Sequence, residues 1–466
     1  MLRFGTDGLR GVAGQELTPE LAMALGRVAA RELGSQGGSF LVGRDTRRSG
    51  PMLAAAFSAG VTAAGVDIVD LGVIPTPGVA ALAAALAIPG AVISASHNPF
   101  ADNGIKLFAA GGAKLSIADE ARIEARLHPS ALHPSALPPP GKSRSSIDSA
   151  DELPVALSGT ELGTITVDPD AVSWYRRQVL ASLAGRHLDG LRVVIDSGNG
   201  AATATAEEVL GAAGADVVDV LGGSPDGTNI NAGGGSTDPG PLRRAVVGQR
   251  ADVGLAFDGD ADRVIAVDAN GSVVDGDSLI ALCALDLRHR QLLRGETVVV
   301  TVMTNLGFHQ AMAREGIAVH QTPVGDRHVL EALDRGGWSL GGEQSGHLIF
   351  RDLATTGDGV LSGLQVLDVM VRTQRPLAEL AETAMQRLPQ VLRNVTVVRR
   401  DGLDSATAIW DEVRAVEADL GGSGRVLLRP SGTERMVRVM VEAPTEATAS
   451  AAADRIAELV AEVLGA

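Results

Sequence analysis

Apolar residues in this chain fall in short runs, separated by longer stretches that end in glycine. Phe40-Leu41-Val42 reads as a strand and Gly50 to Ala64 as a helix, and Gly65-Val66-Asp67-Ile68-Val69-Asp70-Leu71-Gly72 supplies the next strand. The order returns with Arg192-Val193-Val194-Ile195, a helix through Ala213, and a strand within Gly214 to Gly222. It returns again with Thr297-Val298-Val299-Val300, a helix through Glu315, and Gly316 to His320. Strand, helix and strand form the βαβ unit of parallel sheets. Three copies over about 280 residues predict three related α/β domains with mixed, mainly parallel sheets.

From Pro376 the order changes. Val395 to Val398, a helix from Ala406 to Leu420, strands at Val426 to Leu428 and Met436 to Val441, and a helix from Thr445 give β-α-β-β-α. That pattern predicts a small α+β domain. The expected domains are 1–158, 159–256, 257–372 and 373–466. Thr18-Pro19 supplies an N-cap and a first-turn proline for a helix reaching about Leu33. The amphipathic stretch Trp174 to Leu183 leads into the second domain.

Two stretches need separate treatment. Between Leu71 and Phe100 no residue is acidic or basic apart from His97, but prolines at 75, 77 and 89 interrupt the run. A membrane helix needs about 20 continuous apolar residues, so this run divides into a strand, a short helix and another strand, and no membrane partner is expected. His128-Pro129-Ser130-Ala131-Leu132 repeats as His133 to Leu137 before three prolines, which predicts an exposed loop.

Bulk charge narrows the function. A net charge of −16 on 466 residues argues against a nucleic-acid partner. It leaves room for a phosphorylated small substrate, because local arginines override the global sign. Cys283 is the sole cysteine, so neither an internal disulfide nor a cysteine-based zinc site can form. The N-terminus has no apolar core of a signal peptide, and a cytoplasmic location is expected. Lys106, Lys114 and Lys142 are the only lysines, and a lysine can exchange a proton where arginine cannot.

Five stretches carry candidate chemistry. Phe4-Gly5-Thr6-Asp7-Gly8-Leu9-Arg10-Gly11 is a glycine-punctuated segment with one cation. Ser94-Ala95-Ser96-His97-Asn98-Pro99 presents hydroxyls at the end of the strand Gly90 to Ile93, where open α/β sheets place their sites. Nothing local chooses between Ser94 and Ser96. Asp258-Gly259-Asp260-Ala261-Asp262-Arg263 follows the strand Val253 to Phe257, and its three carboxylates suit one hard cation. Arg263 and Ala269 occupy the positions where a calcium EF-hand needs Gly and Glu. Gly341-Gly342-Glu343-Gln344-Ser345-Gly346-His347 offers groups for sugar hydroxyls, and Glu343 breaks the nucleophile elbow of a serine hydrolase. Arg429-Pro430-Ser431-Gly432-Thr433-Glu434, with Arg438 beyond, reads as an anion nest flanked by forked donors. Ala136 removes the P-loop reading of Gly141-Lys142-Ser143. Gly198-Asn199-Gly200 lacks the third glycine of a dinucleotide fingerprint.

In order and in wording, the last four of these stretches resemble the four signatures of the α-D-phosphohexomutase superfamily, and the resemblance covers essentially the whole chain. Within it, Phe-Gly-Thr-Asp-Gly-Leu-Arg-Gly, Gln344 and the Arg-Val-Met-Val-Glu run ending at Glu442 resemble the bacterial branch acting on glucosamine phosphates. The resemblance implies four domains around one central cleft. It implies interconversion of glucosamine 6-phosphate and glucosamine 1-phosphate, on the route to UDP-N-acetylglucosamine and the cell wall. It also implies a glucosamine 1,6-bisphosphate intermediate or activator, and suggests a homodimer.

By position, Ser96 would carry the phosphoryl group, and Asp258, Asp260 and Asp262 would bind Mg²⁺ with it. Glu343 and Ser345 would meet the sugar, and Arg429, Ser431, Gly432, Thr433 and Arg438 the non-reacting phosphate. Lys106 is the candidate proton-transfer group, with Arg10 and Arg263 as electrostatic supports, His97 beside the serine, and His347 as a secondary candidate. Arg435-Met436 departs from the family pattern, where proline and an apolar residue commonly follow Thr-Glu. Sister specificities for mannose or glucose phosphates, a non-catalytic sugar-phosphate sensor, and a nucleotide-dependent oxidoreductase binding NAD at Gly198 to Gly200 are the alternatives.

Overall fold

The computed structural model describes residues 4–5, 7–34, 37–127, 157–399, 402–430 and 435–465. The His-Pro-Ser-Ala-Leu repeat and Ser431 to Glu434 lie outside the described residues. The described chain forms two compact units, residues 1–302 with 320–381, and residues 303–319 with 382–466.

In the larger unit the first sheet holds β1 (Leu9–Val12), β2 (Ser39–Arg44), β3 (Asp67–Val73), β4 (Gly90–Ile93), β5 (Asp102–Phe108) and β6 (Ile165–Val167). Their order is β1-β5-β4-β2-β3-β6. β2 runs parallel to β3 and β4, whereas β5 is antiparallel to β4 and β1. The helices are α1 (Pro19–Leu33), α2 (Gly50–Thr62), α3 (Thr76–Leu86) and α4 (Ile117–Arg126). The Thr18 hydroxyl accepts from the Leu21 amide and opens α1 as expected. The uncharged run from Leu71 divides into β3, α3 and β4, because Pro75 and Pro89 fall at the boundaries.

Glycines let α1 and α2 touch backbone to backbone. A Cβ on Gly60 would sit 2.0 Å from the Met23 carbonyl oxygen, and one on Gly26 2.1 Å from that of Phe57.

α5 (Ala171–Ala181) leads to the second sheet, which comprises β7 (Arg192–Asp196), β8 (Asp216–Leu221), β9 (Val253–Phe257), β10 (Val264–Asp268) and β11 (Val273–Val274). Helices α6 (Ala206–Ala212) and α7 (Gly240–Gln249) accompany it, and the strand order is β11-β10-β9-β7-β8. Phe257 of β9 pairs with Val264 of β10 in antiparallel register. A domain boundary at 256/257 would therefore cut a hairpin, and the Asp258 loop belongs with the second sheet. Sequence order alone hid this, since an apolar strand does not announce its partner.

α8 (Gly276–His289) precedes β12 (Thr297–Thr301), α9 (Leu306–Arg314), β13 (Ala318–Thr322), α10 (Asp326–Gly336), β14 (Leu340–Gly342), β15 (Leu348–Phe350) and α11 (Gly359–Thr373). β14 is parallel to β12 and antiparallel to β15. Asp358 caps α11 by accepting from the Leu361 amide, and the Tyr175 hydroxyl of α5 lies 2.9 Å from both of its oxygens. Burial pushes the Asp358 carboxyl up to about 6, against the pull of its hydrogen bonds.

After α12 (Leu377–Ala384), the smaller unit builds β16 (Gln390–Thr396), α13 (Thr407–Leu420), β17 (Arg425–Pro430), β18 (Met436–Glu442) and α14 (Glu446–Leu464). This is the expected β-α-β-β-α order, and the antiparallel sheet runs β16-β18-β17. Its core joins Val437, Val439 and Val441 to Ile409, Val413, Ile456 and Val460. At one end, buried Glu442 accepts from Arg425 and from the Leu306 amide at the start of α9. Among the described residues no helix is long and apolar enough to cross a membrane.

Candidate active site

Asp258, Asp260 and Asp262 are all buried, and each offers an oxygen within 4.8 Å of the others. Three carboxylates held this close repel one another strongly unless a cation intervenes. Oδ1 of Asp260 and Oδ1 of Asp262 have no hydrogen-bond partner. A buried cluster of hard oxygens with orphaned acceptors fits a divalent cation such as Mg²⁺. Burial, with repulsion from Asp262 and Asp260, raises the Asp258 carboxyl well above its ordinary range.

The two candidate serines differ in what they touch. Ser94 Oγ donates to Asp45 Oδ2 at 2.6 Å and accepts from the Ser96 amide at 2.9 Å, so it braces the loop. Ser96 Oγ instead donates to Asp258 Oδ2 at 2.5 Å, with His97 Nδ1 at 3.3 Å. Burial, helped by Arg263 and Arg10, lowers the His97 pKa and favours the neutral ring.

β5 delivers the lysine. Lys106 Nζ lies 2.6 Å from Asp260 Oδ2 and 3.3 Å from Asp262 Oδ2. Burial works against its charge, but Asp260, Asp262 and Asp7 outweigh burial and hold the proton on. Arg10 stands opposite Gly104 on the neighbouring strand and pairs with Asp7 at 3.1 Å. Arg263 donates its amide to Asp258 Oδ1 at 3.2 Å, and its Nε lies 3.8 Å from Asp262 Oδ1.

The glycine-rich loop between β14 and β15 abuts this cluster, since the Val264 amide donates to the Gly346 carbonyl at 2.9 Å. A Cβ on Gly346 would lie 2.2 Å from the Val264 carbonyl oxygen, which explains a glycine there at φ +92°. Glu343 accepts from the Gly325 amide at 3.0 Å, while Ser345 is exposed. His347 lies between two carboxylates, Nδ1 3.8 Å from Asp262 and Nε2 3.6 Å from Asp326. Burial opposes its charge, but Asp262 and then Asp326 raise its pKa overall.

With these loops placed, comparison with known proteins decides the family. Models of the phosphoglucomutase/phosphomannomutase domains match in succession: α/β/α domain I over residues 1–132, domain II over 175–271, domain III over 275–388 and the C-terminal domain over 392–459. The chain belongs to the phosphoglucomutase/phosphomannomutase family. It is 52% identical over 453 residues to a phosphoglucosamine mutase of Frankia alni, covering 95% of this chain and 94% of that one. A phosphoglucomutase/phosphomannomutase family protein from Burkholderia thailandensis shares the fold at TM-score 0.78 and 24% identity, covering 98% and 97% of the two chains. An Aspergillus fumigatus N-acetylphosphoglucosamine mutase, solved with GlcNAc-6P and magnesium, shares it at TM-score 0.66 and 17% identity, covering 99% and 96%.

Of the residues expected to grip the non-reacting phosphate, Arg429 and Arg438 are the described ones. They are direct partners across β17 and β18. Burial, then repulsion from Arg438, lowers the Arg429 pKa.

Several residues of the site escaped the sequence reading. Thr76, at the start of α3, donates its hydroxyl to Asp260 Oδ2 at 2.7 Å and its amide to the Asp260 carbonyl at 2.9 Å. Lys114 pairs with Asp326 and, at 3.4 Å, with Asp7. Asp45 and Arg47 follow β2, and Asn231 follows β8. The carboxyl end of a parallel strand was the available signal for Asp45 and Arg47. Thr76, three residues past the parallel strand β3, carried the same signal, and Asn231, ten residues past β8, did not.

Proposed function

We infer that this protein is a phosphoglucosamine mutase, interconverting glucosamine 6-phosphate and glucosamine 1-phosphate through a phosphorylated Ser96. The observation carrying this reading is Ser96 Oγ at 2.5 Å from Asp258, inside a buried three-carboxylate cluster, in a chain of this family. The likeness to phosphoglucosamine mutases supports the amino-sugar specificity.

In the proposed cycle, the bond from phosphorus to Ser96 Oγ breaks as a new one forms to the free sugar hydroxyl. The hydroxyl proton leaves for a base; Lys106 is the candidate, and it would take that part once Asp260 and Asp262 are drawn to Mg²⁺, since those carboxylates otherwise keep it protonated. The product of this half-reaction is glucosamine 1,6-bisphosphate. After the sugar turns over, its other phosphate returns to Ser96 and a proton returns to the departing oxygen. Asp258, Asp260 and Asp262 would hold Mg²⁺, which when bound supplies positive charge to the transferring group. Arg10 and Arg263 add fixed positive charge beside it. Glu343 and Ser345 would orient the sugar, and Arg429, Arg438 and the intervening Ser431, Gly432 and Thr433 would grip the phosphate that does not react.

Intact-mass measurement before and after phosphatase treatment, with peptide mapping, tests the carrier. A single phosphate on Ser96, and turnover of glucosamine 1-phosphate in a coupled assay, are expected. Turnover confined to mannose or glucose phosphates would overturn the specificity, and a phosphate elsewhere would overturn the role of Ser96.

A further inference from the structure

Ser96 adopts φ +51°, a left-handed conformation that residues with a Cβ seldom take. Such strain persists where surrounding groups over-determine it. Here the overdetermining groups are visible. Arg47, 1% exposed, donates through Nη2 to the carbonyl of Ser96 at 2.9 Å and that of Asn98 at 2.8 Å. Its Nη1 reaches the carbonyls of Pro99 and Asp102, and its Nε is tied to Asp45 Oδ2 at 2.9 Å. One guanidinium thus spans the whole turn.

A second grip comes from the other sheet. Asn231, itself at φ +58°, donates Nδ2 to the Ser96 carbonyl at 2.8 Å and to that of Asn98 at 3.1 Å. Both neighbours are acceptors, so the amide must present its NH₂ to them. Its buried Oδ1 has no hydrogen-bond partner, and these two donations are what the side chain contributes to the turn. Gly259 completes the fit, because a Cβ there would lie 2.5 Å from the Ser96 carbonyl oxygen and 3.0 Å from Asn231 Nδ2.

We propose that Arg47 and Asn231 are positioning residues for phosphoryl transfer. They clamp the Ser96 carbonyl from two sides, lock its left-handed backbone, and thereby aim Oγ at the carboxylate cluster. The second sheet, which otherwise supplies the Asp258 loop, thus also sets the direction of the serine. This inference rests on Ser96 being the phosphoryl carrier. It adds that the aim of the serine is imposed by side chains that touch neither sugar nor phosphate.

The test uses the full chain with Asn231→Asp and Asn231→Gly. The first keeps the shape but turns a donor toward two carbonyls into an acceptor. The second keeps the left-handed backbone and deletes the amide. Misplacing a reacting atom by about 1 Å costs about 100-fold in rate. Both variants should lose about 10- to 100-fold in kcat with KM for glucosamine 1-phosphate unchanged. They should also take up less phosphate on Ser96 from glucosamine 1,6-bisphosphate, at an unaltered melting temperature.

Arg47→Lys, which keeps the charge but cannot span the turn, should show the same split between kcat and KM. If Asn231→Asp does not fold, Asn231→Gly decides. A kcat within twofold of the parent in a folded variant overturns the proposal. So does a parallel collapse of kcat, KM and melting temperature, which would mark a merely structural contact. Absence of Ser96 phosphate and turnover in the parent would instead overturn the mutase reading itself.

Discussion

Arg429 and Arg438 stand directly opposite each other on adjacent antiparallel strands of the C-terminal sheet. Like charges at directly opposed positions destabilise a sheet, and the pairing suits the phosphate-gripping role proposed for these two arginines. Hydrogen bonds to charged groups are worth about 1.5–3 kcal/mol each. Arg438→Gln or Arg429→Gln should raise KM for sugar phosphates about 10- to 100-fold. Phosphorylation of Ser96 should persist in both, as intact mass would show. Unchanged KM in both variants would remove these arginines from the phosphate site.

Among the described residues, Lys106 is the lysine paired with the carboxylate cluster, at 2.6 Å from Asp260. General acid–base groups contribute about 100- to 10,000-fold. Lys106→Met should therefore lower kcat by that order, with a smaller effect on KM. Steady-state kinetics at saturating Mg²⁺ checks this, and a kcat near the parent's would reassign the proton transfer.

The same carboxylates predict a metal-linked stability. A ligand at 100 times its Kd stabilises the fold by about 2.7 kcal/mol. Mg²⁺ should raise the melting temperature of the parent, and chelation should abolish turnover. The double variant Asp258→Asn with Asp260→Asn should show no such rise. A rise of equal size in the double variant would place the ion elsewhere.

Asp358, whose carboxyl burial raises with help from Asp262, predicts a pH dependence beside the cluster. Its folded-state pKa of about 6 lies above the ordinary 3.8, so the native state binds this proton more tightly than the unfolded chain. The stability it lends is complete below the unfolded value and is lost as pH rises through about 6. About two pKa units correspond to about 3 kcal/mol. Asp358→Asn should leave stability near pH 4 little changed, and above pH 7 raise it relative to the parent by up to that amount. Urea unfolding at both pH values measures the difference, and a pH-independent difference would refute it.

Gly60→Ala tests the helix contact. The new methyl would meet the Met23 carbonyl at 2.0 Å, which the helices can relieve only by separating. Overpacking of this kind costs about 1–3 kcal/mol. A melting temperature equal to the parent's would show that α1 and α2 can shift freely.

Local chemistry made much of the fold legible. Thr18-Pro19 opened α1 because a cap and a fixed proline φ act within one turn, and Pro75 and Pro89 divided an uncharged run long enough to resemble a span. β9 matched its expected limits, Val253–Phe257. Partnership was not legible. The Asp258 loop read as the start of a third domain, although β9 and β10 on either side of it pair within the second sheet.

For the site, the sequence alone determined the chemical vocabulary: serines ending a strand, three alternating carboxylates, two arginines around a short loop. Residue type and spacing carry that information, because metals and phosphates demand particular atoms in close succession. Only the tertiary structure decided how those words combine. It assigned Ser94 to Asp45 and Ser96 to Asp258, and it brought Arg47, Thr76 and Asn231 onto atoms 49 to 184 residues away. Such contacts follow from strand pairing and loop closure, and a hydrogen bond between distant residues leaves no mark on the neighbours of either.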